Sequence, residues 1–319
     1  MKKFRPIALL LAAVLFCTAF GGCSAKKEPL AADTTLLTID GNAVTVEEYR
    51  IYYLYLKEYY DSGDDSYWDS NADQKETLKA SVLAQLQNKY AAWAILQENS
   101  VELTDADKEC VDAQLESIKA HYGSEESYRQ ALADNHYTEE SYRQAVEFAQ
   151  LQSRYVYETQ KEKILENYVR AKHVLVQFDS LADDEKADKA EKLEKAQQIA
   201  ALAKEGSDFD ALVKEYGEDP GMESNPEGYY FTTGEMVESF EKAAFALEEN
   251  EISDPVETNY GYHIILRLPM DEQYLIDHLS DLLSDEYYTE FNGEISEKIA
   301  AQQVDYADAY QQIDVTTIQ

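Results

Sequence analysis

Apolar positions along this chain follow two periods, and the switches between them mark its organisation. From Val169 to Gln177 the β-branched residues of Val-Arg-Ala-Lys-His-Val-Leu-Val-Gln suit a pleated, half-buried surface and predict a strand. A charged helix follows and ends at Gly206, and Ser207-Asp-Phe-Asp210 supplies the N-cap of a second helix. Tyr216-Gly-Glu-Asp-Pro-Gly221 reads as a turn, with Pro and Gly as breakers. Gly228-Tyr-Tyr-Phe231 is a short aromatic strand. Gly234 to Leu247 predicts a helix with Met236, Phe240, Ala244 and Leu247 on one face. Pro255–Thr258 and Tyr262–Leu268 close the segment as a hairpin around Asn259-Tyr-Gly261.

The flanks are helical. Leu36–Gly41 is a strand ending in an Asp-Gly turn, and Thr45-Val-Glu-Glu48 forms a capping box that starts a helix. That helix, from Tyr49 to Tyr60, is apolar almost all round and rich in Tyr. It reads either as buried core or as a surface partly open to unfolded chains. Leu78, Val82, Leu86, Tyr90 and Trp93 mark another helix, and Thr104-Asp-Ala-Asp107 caps the next. Ser124-Glu-Glu-Ser-Tyr-Arg-Gln-Ala131 then recurs as Thr138-Glu-Glu-Ser-Tyr-Arg-Gln-Ala145, two consecutive capped helices. The second continues to about Asn167. After Pro269, Leu275, Leu279 and Leu282 begin a helix that runs, with a break near Asn292-Gly293, to about Ile313. It has no core of its own, so it is expected to pack on the N-terminal helices.

The first residues do not belong to this pattern. Lys2, Lys3 and Arg5 precede an apolar run from Ile7 to Phe20, the layout of a secretory leader. Phe20-Gly-Gly-Cys23 resembles a bacterial lipobox, with Phe where Leu is usual. The resemblance implies a diacylglycerol on the Cys23 thiol and cleavage before it; the alternative is an ordinary leader in which Cys23 is incidental. The expected product is lipid-anchored at the extracytoplasmic face of the cell membrane. Of the three cysteines, Cys110 alone then remains uncommitted, and it reads as a packing residue. The formal charge is -35, which repels phosphates and excludes nucleic acid as a partner. The five histidines show no metal-ligand spacing, and there is no Gly-rich phosphate loop, so neither metal nor cofactor is expected.

Five segments of the central stretch resemble the parvulin family of peptidyl-prolyl isomerases in both wording and order. They are Ala171-Lys-His-Val-Leu-Val176, Asp208-Phe-Asp-Ala-Leu212, Tyr216-Gly-Glu-Asp219, Gly234 to Phe240, and Thr258-Asn-Tyr-Gly-Tyr-His-Ile-Ile265. With its flanks the chain is similar to the PrsA-type foldase lipoproteins, relatives of the SurA chaperones. The resemblance implies an α+β fold: a parvulin domain with a small, mostly antiparallel sheet, inserted in a mainly helical chaperone domain. The expected divisions are a leader at 1–22, a lipidated tether at 23–33, helical domain at 34–167, parvulin domain at 168–269, and helices returning to the N-terminal domain at 270–319.

The same resemblance implies the site. His173 and His263 match the family's paired histidines, linked ring to ring and holding Asp219. Met236 and Phe240 match two walls of the proline pocket, and Thr258 a polar residue near the histidines. The family's Gly-Gly-Asp-Leu-Gly-Trp-Phe stands here as Asn225-Pro-Glu-Gly-Tyr-Tyr-Phe231. Its pocket Leu therefore falls on Gly228, and Tyr229 or Tyr230 is expected to fill that wall. Tyr260 takes the place of a small residue and joins the substrate-binding set. The cationic cluster that reads phosphoserine in signalling parvulins is missing. The implied function is isomerisation of X-Pro bonds in unfolded exported polypeptides; the competing one is a non-catalytic holdase of the same build. Whether the helical arms pair into a homodimer is left open.

Overall fold

The computed structural model describes residues 29–179, 184–279, 288–314 and 317–318. The leader, the lipobox with Cys23, and Leu282 lie outside them. The chain divides into two compact units: one comprises the chain to Val156 and its end from Leu283, the other is Tyr157–Leu282.

The first unit opens with the hairpin β1 (Thr35–Ile39) and β2 (Asn42–Thr45). Its turn residues Asp40 and Gly41 have φ of 50° and 79°, the left-handed pair that an Asp-Gly turn accommodates. Helices α1 (Val46–Asp61), α2 (Tyr67–Ser70) and α3 (Gln74–Glu98) follow. Thr45 caps α1 through the Glu48 N–H, but the Glu48 carboxylate turns away to Lys89 and Tyr90 of α3. Only half of the expected capping box is therefore made. On α1, Tyr49 and Tyr53 are buried, whereas Tyr55 and Tyr59 are 41% and 81% exposed. The capping box at Thr104 and Asp107 is complete and starts α4 (Asp105–His121). Asp107 is buried; burial pushes its carboxyl up, but Arg154, Gln150 and Thr104 together hold it well below the usual range. The repeated words become α5 (Glu125–Asp134) and the start of α6 (Glu139–Asn167). Their equivalent Tyr128 and Tyr142 enter one small core with Val111, Leu115, Leu132 and Val146.

The second unit is built on one sheet. Its elements are β3 (Tyr168–Gln177), α7 (Glu185–Lys204), α8 (Phe209–Tyr216), α9 (Gly221–Ser224), β4 (Tyr229–Thr232), α10 (Glu238–Ala246), β5 (Val256–Glu257), β6 (Gly261–Leu268) and α11 (Glu272–Asp277). The strands lie antiparallel in the order β4-β3-β6-β5. Alternation along β3 and β6 sends Val174, Val176, Tyr262 and Ile264 to one core with Ala196, Ile199 and Leu212 of α7 and α8. Val169, Ala171, Phe231 and Ile265 face Phe240 and Ala244 of α10 on the other side. Helix α10 begins at Glu238, four residues later than its periodicity predicts. Gly234 has a left-handed φ of 93°, and its N–H donates to the Glu241 carboxylate at 2.6 Å, so Met236 lies on a latched loop. At the other end, Tyr274 of α11 stacks on Tyr230 at 4.2 Å, and Glu272 pairs with Lys161. These contacts place α11 in the second unit, whereas the sequence divides the chain at Pro269.

The expected long C-terminal helix is shorter. Helix α12 (Thr289–Ala301) passes Asn292-Gly293 unbroken and then stops. The chain leaves it for β7 (Val304–Tyr306), which pairs antiparallel with β1, Leu37 opposite Tyr306, and gives a second sheet in the order β2-β1-β7. Ile313 and Ile318 are buried with Leu36, Leu37, Tyr49, Trp68 and Leu78. Leu30 packs on the same core and its N–H donates to the Thr317 carbonyl, so the last residues of the expected tether belong to this unit.

Candidate active site

His173 on β3 and His263 on β6 are same-face, diagonal neighbours, because His173 lies opposite Ile265 and His263 opposite Leu175. Their rings stack at 4.9 Å and 25°, and their Nδ1 atoms are 2.9 Å apart. Asp219 arrives from the turn after α8. The Glu218 N–H donates to the Leu175 carbonyl and ties this turn to β3. Gly217 is needed at its start, since a Cβ there would lie 2.4 Å from the Val213 carbonyl oxygen. Asp219 Oδ2 then lies 2.8 Å from His173 Nε2, and Oδ1 accepts the Gly221 N–H at 2.9 Å. At the far end His263 Nε2 lies 2.9 Å from Thr258 Oγ1, which also accepts the Tyr260 N–H.

The proton positions follow from this run. The His173 hydrogen bond, with those of Gly221 and Tyr229, holds the Asp219 carboxyl well below its usual range despite partial burial. An ionised carboxylate only accepts, so His173 Nε2 donates to it. Burial, with His173 alongside, pushes His263 down to about 3, so its imidazole is neutral. The contact between the two Nδ1 atoms needs one proton, which one of the two rings supplies. At the other end His263 Nε2 shares one proton with the Thr258 hydroxyl, which also lies 3.3 Å from the Gly261 carbonyl oxygen. Each bond from Thr258 through His263 and His173 to Asp219 uses one proton.

Phe240 presents its ring edge-on to both histidines, 5.2 Å from His173 and 5.3 Å from His263. Met236 is partly buried in the same cluster. Tyr229 faces this side too: its ring is 6.0 Å from His173 and its hydroxyl 3.0 Å from Asp219 Oδ2. Tyr230 does not, because alternation along β4 sends it to the opposite face, between Arg170 and Tyr274. Gly228 has φ of 98°, and a Cβ there would sit 3.1 Å from the Ala171 carbonyl oxygen, so that position offers no wall. Tyr260 also departs from expectation: it is 52% exposed on the turn between β5 and β6, and its part in the network is its backbone N–H. Sequence reasoning passed over Phe231, buried against Phe240 at 5.9 Å, and Glu241, the latch on the Met236 loop. Strand parity with Tyr229 could have found Phe231; no local signal marks Glu241.

A family model of the PPIC-type PPIase domain matches residues 154–267, and one of the SurA-like N-terminal domain matches residues 2–156. The foldase protein PrsA of Caldanaerobacter subterraneus subsp. tengcongensis is 30% identical over 267 residues, covering 82% of this chain and 81% of that protein. PrsA of Geobacillus kaustophilus is 31% identical over 217 residues, covering 66% of this chain and 69% of that one. Among solved structures, the crystal structure of PrsA from Bacillus subtilis aligns at 24% identity over 85% of this chain and 92% of that chain, with a TM-score of 0.29.

Proposed function

This chain belongs to the PrsA foldase family, and from that premise we infer that it is a lipid-anchored foldase working on exported polypeptides at the outer face of the cell membrane. It is a peptidyl-prolyl cis-trans isomerase of the PPIC type. The leader-like run from Ile7 to Phe20 and the lipobox-like Phe20-Gly-Gly-Cys23 support the anchored reading.

An X-Pro bond turns over a barrier of about 18–20 kcal/mol and takes about tens to hundreds of seconds unaided. The planar amide is a resonance dipole, and the twisted transition state has lost that resonance. A site that favours the twist over the plane speeds both directions equally. In this reading Phe240, Met236 and the Tyr229 ring grip the proline. The histidine floor offers nothing to the planar carbonyl, because each imidazole N–H is already used within the run to Asp219. The Asp219 charge repels the carbonyl oxygen, whose partial negative charge is largest in the plane.

The observation that carries this reading is the unbroken run Thr258–His263–His173–Asp219 beneath Phe240. Protease-coupled cleavage of a cis-proline peptide tests it: the full chain accelerates the slow phase and His263→Ala does so much less. No acceleration by either protein would overturn it. Anchoring is tested separately, by palmitate labelling that Cys23→Ser abolishes.

The exposed Tyr55 and Tyr59 favour a second reading, a holdase that works without catalysis. It requires His263→Ala to suppress client aggregation as well as wild type does, and Tyr55→Ser with Tyr59→Ser to lose that ability.

A further inference from the structure

We infer that Tyr229 is a positioning residue of the isomerase site: its hydroxyl donates to the same Asp219 oxygen that receives His173 Nε2, and so holds that carboxylate against the histidine pair. This rests on the reading of Asp219, His173 and His263 as the isomerase floor.

In the parvulin pattern this position is Gly, so the hydroxyl is an addition made by this chain. The phenol carries one proton and Asp219 only accepts, so Tyr229 is the donor. Burial and the neighbouring carboxylate both push the phenol up, which keeps that proton in place. Three donors from three elements then meet the carboxylate: the Gly221 N–H of α9 on Oδ1, and His173 of β3 with Tyr229 of β4 on Oδ2. Behind them His263 of β6 closes the set. With both donors in place, Oδ2 has no lone pair for a proton or a water. Without the hydroxyl one lone pair opens, and the carboxylate can turn away from His173.

The phenol reaches Oδ2 through space that a residue kept small provides. A Cβ at Gly221 would lie 2.0 Å from the Tyr229 hydroxyl and 3.2–3.3 Å from the Asp219 oxygens. Gly221→Ala therefore displaces the hydroxyl while leaving the Tyr229 ring and the Gly221 N–H, and Tyr229→Phe removes the hydroxyl while leaving the ring.

The test is 15N NMR of the imidazoles in the full chain, together with isomerase kinetics at neutral pH. In wild type, His173 carries a proton on Nε2, bonded to Asp219. In Tyr229→Phe the His173 Nε2 resonance shifts as its bond to Asp219 loosens, and kcat falls about tenfold, the worth of one hydrogen bond to a charged group. KM stays within about twofold, since the ring still lines the notch. Gly221→Ala moves both readouts the same way, and it carries the test should Tyr229→Phe fail to fold. Wild-type kcat with unchanged imidazole resonances would overturn the proposal. So would a raised KM at constant kcat, the mark of a wall and nothing more. Should the wild-type chain not isomerise peptides, the assignment of the floor fails, yet the imidazole resonances still decide whether Tyr229 positions Asp219.

Discussion

The two faces of the second unit's sheet are made by the same strands and do different things. Along β3, Val174 and Val176 meet the aliphatic residues of α7 and α8, and Lys172 beside them sends its ammonium to Asp210 of α8 at 2.7 Å. One residue out of phase, Ala171 and His173 face α10, where a buried pair of imidazoles must place every proton. The first face can tolerate exchange of one aliphatic residue for another of similar volume. The second cannot lose a donor without leaving a buried acceptor open. Stability is thus concentrated on one side of the sheet and chemistry on the other, about a strand's thickness apart.

Four measurements would break or sharpen this contrast. The largest expected effect is on the dry face: Ile264→Ala leaves a cavity in a fully buried site and costs about 2–5 kcal/mol in denaturant unfolding, while kcat/KM of the folded fraction stays near wild type. A comparable loss of kcat/KM would show that the faces are not independent. Next comes acid. His263 is neutral in the fold down to about 3, against 6.5 in the unfolded chain. The unfolded chain therefore binds more protons across that window, so stability rises with pH and is lost on acidification. The loss reaches about 2 kcal/mol at pH 5. Asp219, held below its ordinary value, adds a loss of the same sign at still lower pH. Chemical unfolding at pH 7 and pH 5 checks this, and His263→Ala should flatten the difference. Third, His263→Ala lowers kcat/KM roughly tenfold or more, the worth of about 1.4 kcal/mol at the transition state. The smallest effect is at the latch: Glu241→Gln weakens the hold on Gly234, and KM rises about twofold to threefold with kcat unchanged, since only the Met236 wall loosens.

Much of this was legible in the residues. The strands β3 and β6, the turn that carries Asp219, and the capped repeats at Ser124 and Thr138 follow from local patterning, and local rules govern them. What escaped depends on contacts that only the folded chain makes. Helix α10 starts late, with Gly234 held by Glu241 seven residues on, a contact that outweighs a helical periodicity. Glu48 leaves its capping box for Lys89 and Tyr90, stronger partners that only folding brings near. Val304–Tyr306 is too short to announce itself as a strand and becomes one because β1 offers an edge. At the site, the matched words brought His173, Asp219, His263, Thr258, Met236 and Phe240 to one place, but they could not say where Tyr229, Tyr230 and Tyr260 point. Parity along β4 separates the first two, and the turn geometry at Gly261 leaves the third outside.

The pairing of Leu37 with Tyr306 also sets the order in which the molecule can be completed. Strand β1 leaves a ribosome long before its partner does. The inserted isomerase closes over much shorter loops, so it can mature while the surrounding unit still waits for its third strand. A catalyst of other proteins' slow folding steps would then assemble from the inside outward, its working part finished before its frame.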